Sequence, residues 1–81
     1  MDIVTTIQDY ITRELVKNKS HIDPDESLIG SGLLDSLTLL QLIAFLEDEF
    51  GVKVESSDMA PENFQTLNAI KTFLEHKLAS K

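Results

Sequence analysis

The stretch from Ser36 to Phe50 constrains this chain more than any other, because its apolar positions recur with the period of an α-helix. At about 100° per residue, Leu39, Leu42, Ile43, Leu46 and Phe50 fall in one sector about 120° wide, which is the expected core face. Leu37, Leu40 and Ala44 form a second stripe beside Gln41 and Asp48. A second stripe on a short helix has two common explanations, burial under a neighbouring loop or an exposed patch for partners, and periodicity alone favours neither. Phe45 lies on neither stripe and is expected to pack against the loop or the last helices. Gly51 is a natural left-handed stop for this helix.

Upstream, Ile3, Ile7, Ile11 and Leu15 recur every four residues and Val4 widens the stripe, which predicts a helix over about 3–17 capped by Asp2. Arg13, Lys17 and Lys19 gather positive charge near its C-terminal end, where the helix dipole favours it. From Asn18 to Asp35 the pattern is lost, over a length unusual for a loop inside a compact domain. Ile22, Leu28, Ile29, Leu33 and Leu34 predict that this loop is pinned to the core, with a short helical turn after Pro24. Asp23, Asp25 and Ser27 are spaced like the start of a calcium loop. Its sixth position is Leu28 rather than Gly and its twelfth is Leu34 rather than Glu, so that reading fails.

Downstream, Val52 and Val54 alternate with Lys53 in a short extended connector. Ser56, Ser57 or Asp58 could each cap a short third helix around 58–64, with Pro61 near its first turn and Phe64 in the core. Thr66 then caps a last helix whose Leu67, Ile70, Phe73, Leu74 and Leu78 make a third apolar face. The expected fold is all-α: a small four-helix bundle of three long helices and one short helix, formed by residues 1–81 as a single domain.

A domain of 81 residues buries somewhat over half of its unfolded surface and has a stability of roughly 4–12 kcal/mol. Without cysteine there is no disulfide and no thiolate metal site, so any thiol chemistry must be brought by an attached group. The formal charge of −7 argues against nucleic acid, which is bound through clustered Lys and Arg. An acidic surface can steer association towards basic patches on partners, or simply keep a protein in solution, and charge alone does not separate the two. No apolar run approaches a membrane span and the N-terminus has no signal-peptide pattern, so the expectation is a cytoplasmic monomer. His21 and His76 stand far apart, and no HExxH, P-loop or dinucleotide fingerprint occurs; no metal site and no catalytic residue are expected.

The helix of Ser36–Phe50 begins where a loop carrying two glycines ends, at Gly32-Leu33-Leu34-Asp35-Ser36-Leu37. Ser36 falls on or beside its first residue, where unpaired N–H groups and the helix dipole favour an attached phosphate. Either Asp35 or Ser36 could equally be a plain N-cap. Three residues on stand Thr38 and Leu39 rather than the Glu or Gln of a capping box, so one of the two caps and the other is left without a local duty.

With Gly32 before it and Glu47-Asp48-Glu49-Phe50-Gly51 after it, Leu33-Leu34-Asp35-Ser36-Leu37 resembles the Asp-Ser-Leu signature of acyl carrier proteins and peptidyl carrier domains. The resemblance runs from the opening helix to Phe64 and the last helix, and Pro61-Glu62-Asn63-Phe64-Gln65-Thr66 is similar to the segment before the last helix in aminoacyl and peptidyl carriers. It implies a 4′-phosphopantetheine arm on Ser36, transferred from coenzyme A by a separate phosphopantetheinyl transferase, with Asp35 helping that enzyme orient the reaction. It also implies that Leu37, Leu40, Gln41, Ala44 and Asp48 meet partner enzymes that activate or transfer acyl or aminoacyl groups through basic or apolar docking patches. The cargo would be held as a thioester for a pathway of fatty-acid, polyketide or nonribosomal-peptide type. Fatty-acid carriers usually have acidic residues just after the Ser-Leu pair and three residues further on, where this chain has Thr38 and Gln41. That departure implies docking with less charge and more apolar contact, and looks more like peptidyl, aminoacyl and D-alanyl carriers. Two readings from other classes stand beside this one. The first is an unmodified helical adaptor. The second is a serine hydrolase, which would need a positioned base and an oxyanion hole that no strand-turn-helix before Ser36 supplies.

Overall fold

The computed structural model describes residues 2–16 and 21–79. Helix α1, Ile3–Tyr10, runs without a break into a π-helical turn, Ile11–Leu15, closed where the Val16 N–H donates to the Ile11 carbonyl at 2.7 Å. Asp2 stands at the N-cap position of α1 and its carboxylate accepts the Thr5 hydroxyl. Lys17 and Lys19, and with Lys17 the last residue of the expected helix, lie outside the described residues. Helix α2, Ser36–Phe50, ends at Gly51, whose φ of 66° is the left-handed conformation that glycine adopts without a Cβ clash. Helix α3, Leu67–Ala79, starts at Thr66, whose hydroxyl accepts the Ala69 N–H at 3.0 Å.

The short helix expected around 58–64 is not formed. Two 3₁₀ turns, Ser56–Asp58 and Pro61–Asn63, stand in its place, so the described residues hold three α-helices and not four. Pro61 is the cause. Its ring disfavours the helical conformation at the residue before it, and Ala60 is extended at φ −76° and ψ 136°. The chain therefore restarts at Pro61 as the first residue of a new turn.

Every helix contributes its predicted stripe to one core: Ile7 and Ile11, then Leu42, Ile43 and Leu46, then Leu67, Ile70, Phe73 and Leu74. Leu39 and Phe50, expected in the same face of α2, are partly buried at the edge of that core. Phe64 fills its floor and meets Phe73 edge to face at 5.3 Å between ring centres. Val52 is buried and Lys53 exposed, as an extended connector requires. Three apolar residues depart from expectation. Ile29 and Leu78 are left 36% and 38% exposed instead of buried, and Phe45 stacks on Tyr10 of α1 at 4.0 Å, tying α1 to α2 instead of covering the loop or the last helices.

The long loop is pinned as expected by Ile22, Leu28 and Leu34, with Leu33 half-buried. Polar ties complete the anchoring. The Ile22 N–H donates to Gln8 Oε1 at 2.6 Å, the Leu28 N–H to the Gln65 carbonyl at 2.7 Å, and the Asn68 side-chain amide to Asp25 Oδ1 at 2.8 Å. An irregular segment folded against a core must satisfy its backbone in some such way. The turn after Pro24 is a single reverse turn, not a helical one. The Glu26 N–H donates to the Asp23 carbonyl at 3.0 Å and the Asp25 N–H to Asp23 Oδ1 at 2.9 Å.

Candidate functional site

The loop delivers the chain to α2 with little freedom left. Gly32 takes a φ of 83°, and the Leu34 N–H then donates to the Leu28 carbonyl at 2.9 Å while the Leu34 side chain enters the core. Asp35, next in line, is the N-cap. Its Oδ1 accepts the Thr38 N–H at 2.9 Å and the Thr38 hydroxyl at 3.0 Å, and the Thr38 Oγ1 in turn accepts the Asp35 N–H at 2.8 Å. This is a reciprocal capping box, which the absence of Glu or Gln at that position had argued against. A threonine hydroxyl both donates and accepts, so it can replace the longer side chain. The Thr38 N–H, and after it the Thr38 hydroxyl, hold the Asp35 carboxyl below its ordinary pKa.

With Asp35 as the cap, Ser36 becomes the first residue of α2, exposed, and its hydroxyl makes no hydrogen bond to any described residue. Its position also lies within the first turn, where the dipole of a fifteen-residue helix favours an anion.

The second stripe of α2 faces solvent. Leu37 is 65% and Leu40 56% exposed, and Gln41, Ala44 and Asp48 are exposed with them. Successive turns place these five within a sector of about 100°, bordering the direction of Ser36. Glu47, between Ala44 and Asp48, is committed elsewhere, since its Oε2 accepts the Val54 N–H at 2.8 Å and holds the connector against α2. Neither this tie nor the threonine cap was read from the sequence. Thr38 in the third helical position carried the signal for the cap, whereas the Glu47 contact joins segments whose approach no local pattern encodes. A groove of about 350 Å³ between α1 and α2, lined by Asp9, Tyr10, Arg13, Phe45 and Glu49, opens about half a turn away from Ser36 and takes no part in this site. Among the described residues no cluster of His, Cys, Asp and Glu could hold a metal ion, and no helix is long and apolar enough to cross a membrane.

Residues 5–74 match the family profile of the phosphopantetheine attachment site. The chain belongs to that family. It is 32% identical over 77 residues to the acyl carrier protein of Thermotoga maritima, covering 95% of this chain and 93% of the relative. It is 34% identical over 70 residues to the D-alanyl carrier protein of Streptococcus suis, covering 86% and 87%. The solution structure of the holo acyl carrier protein of Nitrosomonas europaea superposes with a TM-score of 0.81 over 98% of this chain and 99% of that one, at 24% identity, which establishes a shared fold. The carrier is thus a non-catalytic domain whose cofactor is covalently bound phosphopantetheine.

Proposed function

We propose that this single-domain carrier bears its 4′-phosphopantetheine on Ser36 and delivers an acyl or aminoacyl group to partner enzymes in the cytoplasm. The observation that supports the attachment point most is the division of labour at the start of α2: Asp35 does the capping, so the adjacent serine is exposed and its hydroxyl is left unpaired by the described residues. The residues fit the group. The Ser36 hydroxyl is accessible, the first turn of α2 offsets the negative charge of a phosphodiester, and the neighbouring stripe is exposed rather than folded over it.

A phosphopantetheinyl transferase presents coenzyme A, and Ser36 Oγ attacks the phosphorus that bears the pantetheine. The hydroxyl proton passes to a base of the transferase, a serine phosphodiester forms, and adenosine bisphosphate leaves. Both Thr38 bonds to the Asp35 side chain fall on Oδ1, so Oδ2 is the oxygen that Asp35 offers to the transferase. The terminal thiol of the arm supplies the thioester chemistry that a chain without cysteine lacks. Leu37, Leu40, Gln41, Ala44 and Asp48 meet the partners, and tethering keeps the cargo at high effective concentration beside their active sites. Relatives that carry acyl groups and relatives that carry D-alanine both align along most of the chain, so the partners belong to the class that activates and transfers acyl or aminoacyl groups.

Incubation with coenzyme A and a broad-specificity transferase, followed by intact-mass measurement, tests the reading. The wild type should gain one phosphopantetheine, and Ser36→Ala should gain none while melting at the same temperature. A wild type that gains nothing would leave an unmodified helical adaptor as the better account.

A further inference from the structure

Asp35 is the only charged residue between Glu26 and Glu47, a run that holds Ser36 near its middle. The charge that this run sets beside the serine therefore lies on one carboxylate, and its two oxygens are used differently. Oδ1 accepts both the Thr38 N–H, at 2.9 Å, and the Thr38 hydroxyl, at 3.0 Å, and neither bond reaches Oδ2. The same hydroxyl oxygen accepts the Asp35 N–H at 2.8 Å, so Thr38 holds the backbone and the side chain of Asp35 at once. Resting on the reading of Ser36 as the attachment point, we propose that Thr38 is a positioning residue for the transfer of phosphopantetheine: its hydroxyl fixes the Asp35 carboxylate in the orientation that presents Oδ2 to a cationic donor of the transferase.

Capping alone does not require the hydroxyl. Oδ1 satisfies the Thr38 N–H whatever side chain stands at position 38, and Asp35 is exposed, so its own N–H can turn to water instead. The hydroxyl adds a second donor on the oxygen that the N–H already holds. A carboxylate held by one bond can swing about it, because the last torsion of an aspartate is broad. Two donors on one oxygen hold the plane of the group, and with it the direction of the other oxygen. A group ordered before encounter spares the transferase the entropy of ordering it, which for one short side chain is a factor on the order of fivefold. Thr38 touches neither Ser36 nor the transferase in this account and acts only through Asp35.

The test is the initial rate at which a broad-specificity transferase loads the full-length carrier from coenzyme A at limiting carrier concentration, read by intact mass, with circular dichroism showing each variant folded at the assay temperature. Thr38→Val keeps the N–H and loses the hydroxyl, and should load about fivefold more slowly; Thr38→Ser should load at the wild-type rate. Asp35→Asn keeps the cap, since asparagine caps as well as aspartate, but removes the charge, and should load at least about tenfold more slowly. In the Asp35→Asn background, Thr38→Val should slow loading no further, within about twofold, because the carboxylate it acts through is gone. In the free carrier, the Hα–Hβ couplings of Asp35 should report a single χ1 rotamer in wild type and averaged rotamers in Thr38→Val. The proposal is overturned, with Ser36 left standing, by a valine variant that loads like wild type, a serine variant as slow as valine, a double variant about fivefold slower than Asp35→Asn, or couplings that Thr38→Val leaves unchanged. A wild type that is never modified sinks the Ser36 reading and this role together.

Discussion

Leu46→Ala and Leu40→Ala, two identical exchanges on one helix, isolate what burial contributes on each side of α2. Each removes the same carbon atoms and changes helix propensity equally, so a difference in stability reports the surroundings alone. Leu46 is 0% exposed within the main core cluster, whereas Leu40 is 56% exposed. Truncating a fully buried leucine costs about 2–5 kcal/mol, from lost transfer energy and the cavity left behind. Leu40 forfeits less than half of a leucine's transfer term and opens no closed cavity, so its loss is on the order of 1 kcal/mol or less. In a domain of this size each kcal/mol moves the melting temperature by about 4–8 °C. Leu46→Ala should therefore melt about 10–30 °C below wild type, and Leu40→Ala within about 5 °C of it. Far-UV circular dichroism on heating reads both. Equal falls would mean that Leu40 is a core residue and that α2 has no exposed apolar stripe.

Two further outcomes follow from the ends of the helices. Thr38→Val removes the hydroxyl half of the capping box but keeps the backbone bond to Asp35, and should lower the urea-unfolding free energy by on the order of 0.5–1 kcal/mol; Thr38→Ser should restore it, and a serine variant as weak as valine would refute the reciprocal cap. The carboxyls of Asp2, Asp35 and Asp58 are held below their ordinary values, by the Thr5 hydroxyl, the Thr38 N–H and the Lys77 ammonium respectively. A carboxyl whose folded pKa lies below its unfolded one stabilises the fold fully above the unfolded value near 3.8, and that contribution is lost as pH falls through the folded value. Asp58→Asn should therefore be less stable than wild type at about pH 7, and the gap should close at about pH 2; a gap that persists in acid would show that the Lys77 contact is not what Asp58 contributes.

How much of this was legible depended on how local the cause was. Most of each helix's core face, the stop at Gly51, the cap at Thr66 and the placement of Phe64 were read correctly, because each follows from helical spacing or from one residue's backbone chemistry; Leu78, at the end of the last helix, was not. The pair of 3₁₀ turns was readable in principle, since Pro61 restricts Ala60, but a cap at Ser56, Ser57 or Asp58 with Pro61 near the first turn suggested one continuous helix. The π-helical turn at Ile11–Leu15 has no such mark, because the apolar stripe continues through it while the Val16 N–H reaches back five residues, to Ile11, instead of four. The Tyr10 and Phe45 stack and the ties of Gln8, Gln65 and Asn68 to the long loop arise where distant segments meet, and composition does not encode that meeting.

The reading of Ser36 as the attachment point rests on a different kind of signal. A core residue is recognised by what its neighbours share with it, whereas Ser36 stands out by lacking a structural duty that the residue before it has already met. The same logic resolves the second stripe, which periodicity left open. Leu37 and Leu40 had a loop long enough to cover them, yet Ile22, Leu28 and Leu34 take that loop into the core, and its polar ties run to Gln8, Gln65 and Asn68. Once the loop is held there, the stripe beside Ser36 faces water. Leaving these two leucines more than half exposed forgoes about 1 kcal/mol or more of burial for each, so α2 keeps an apolar stripe in water beside Ser36.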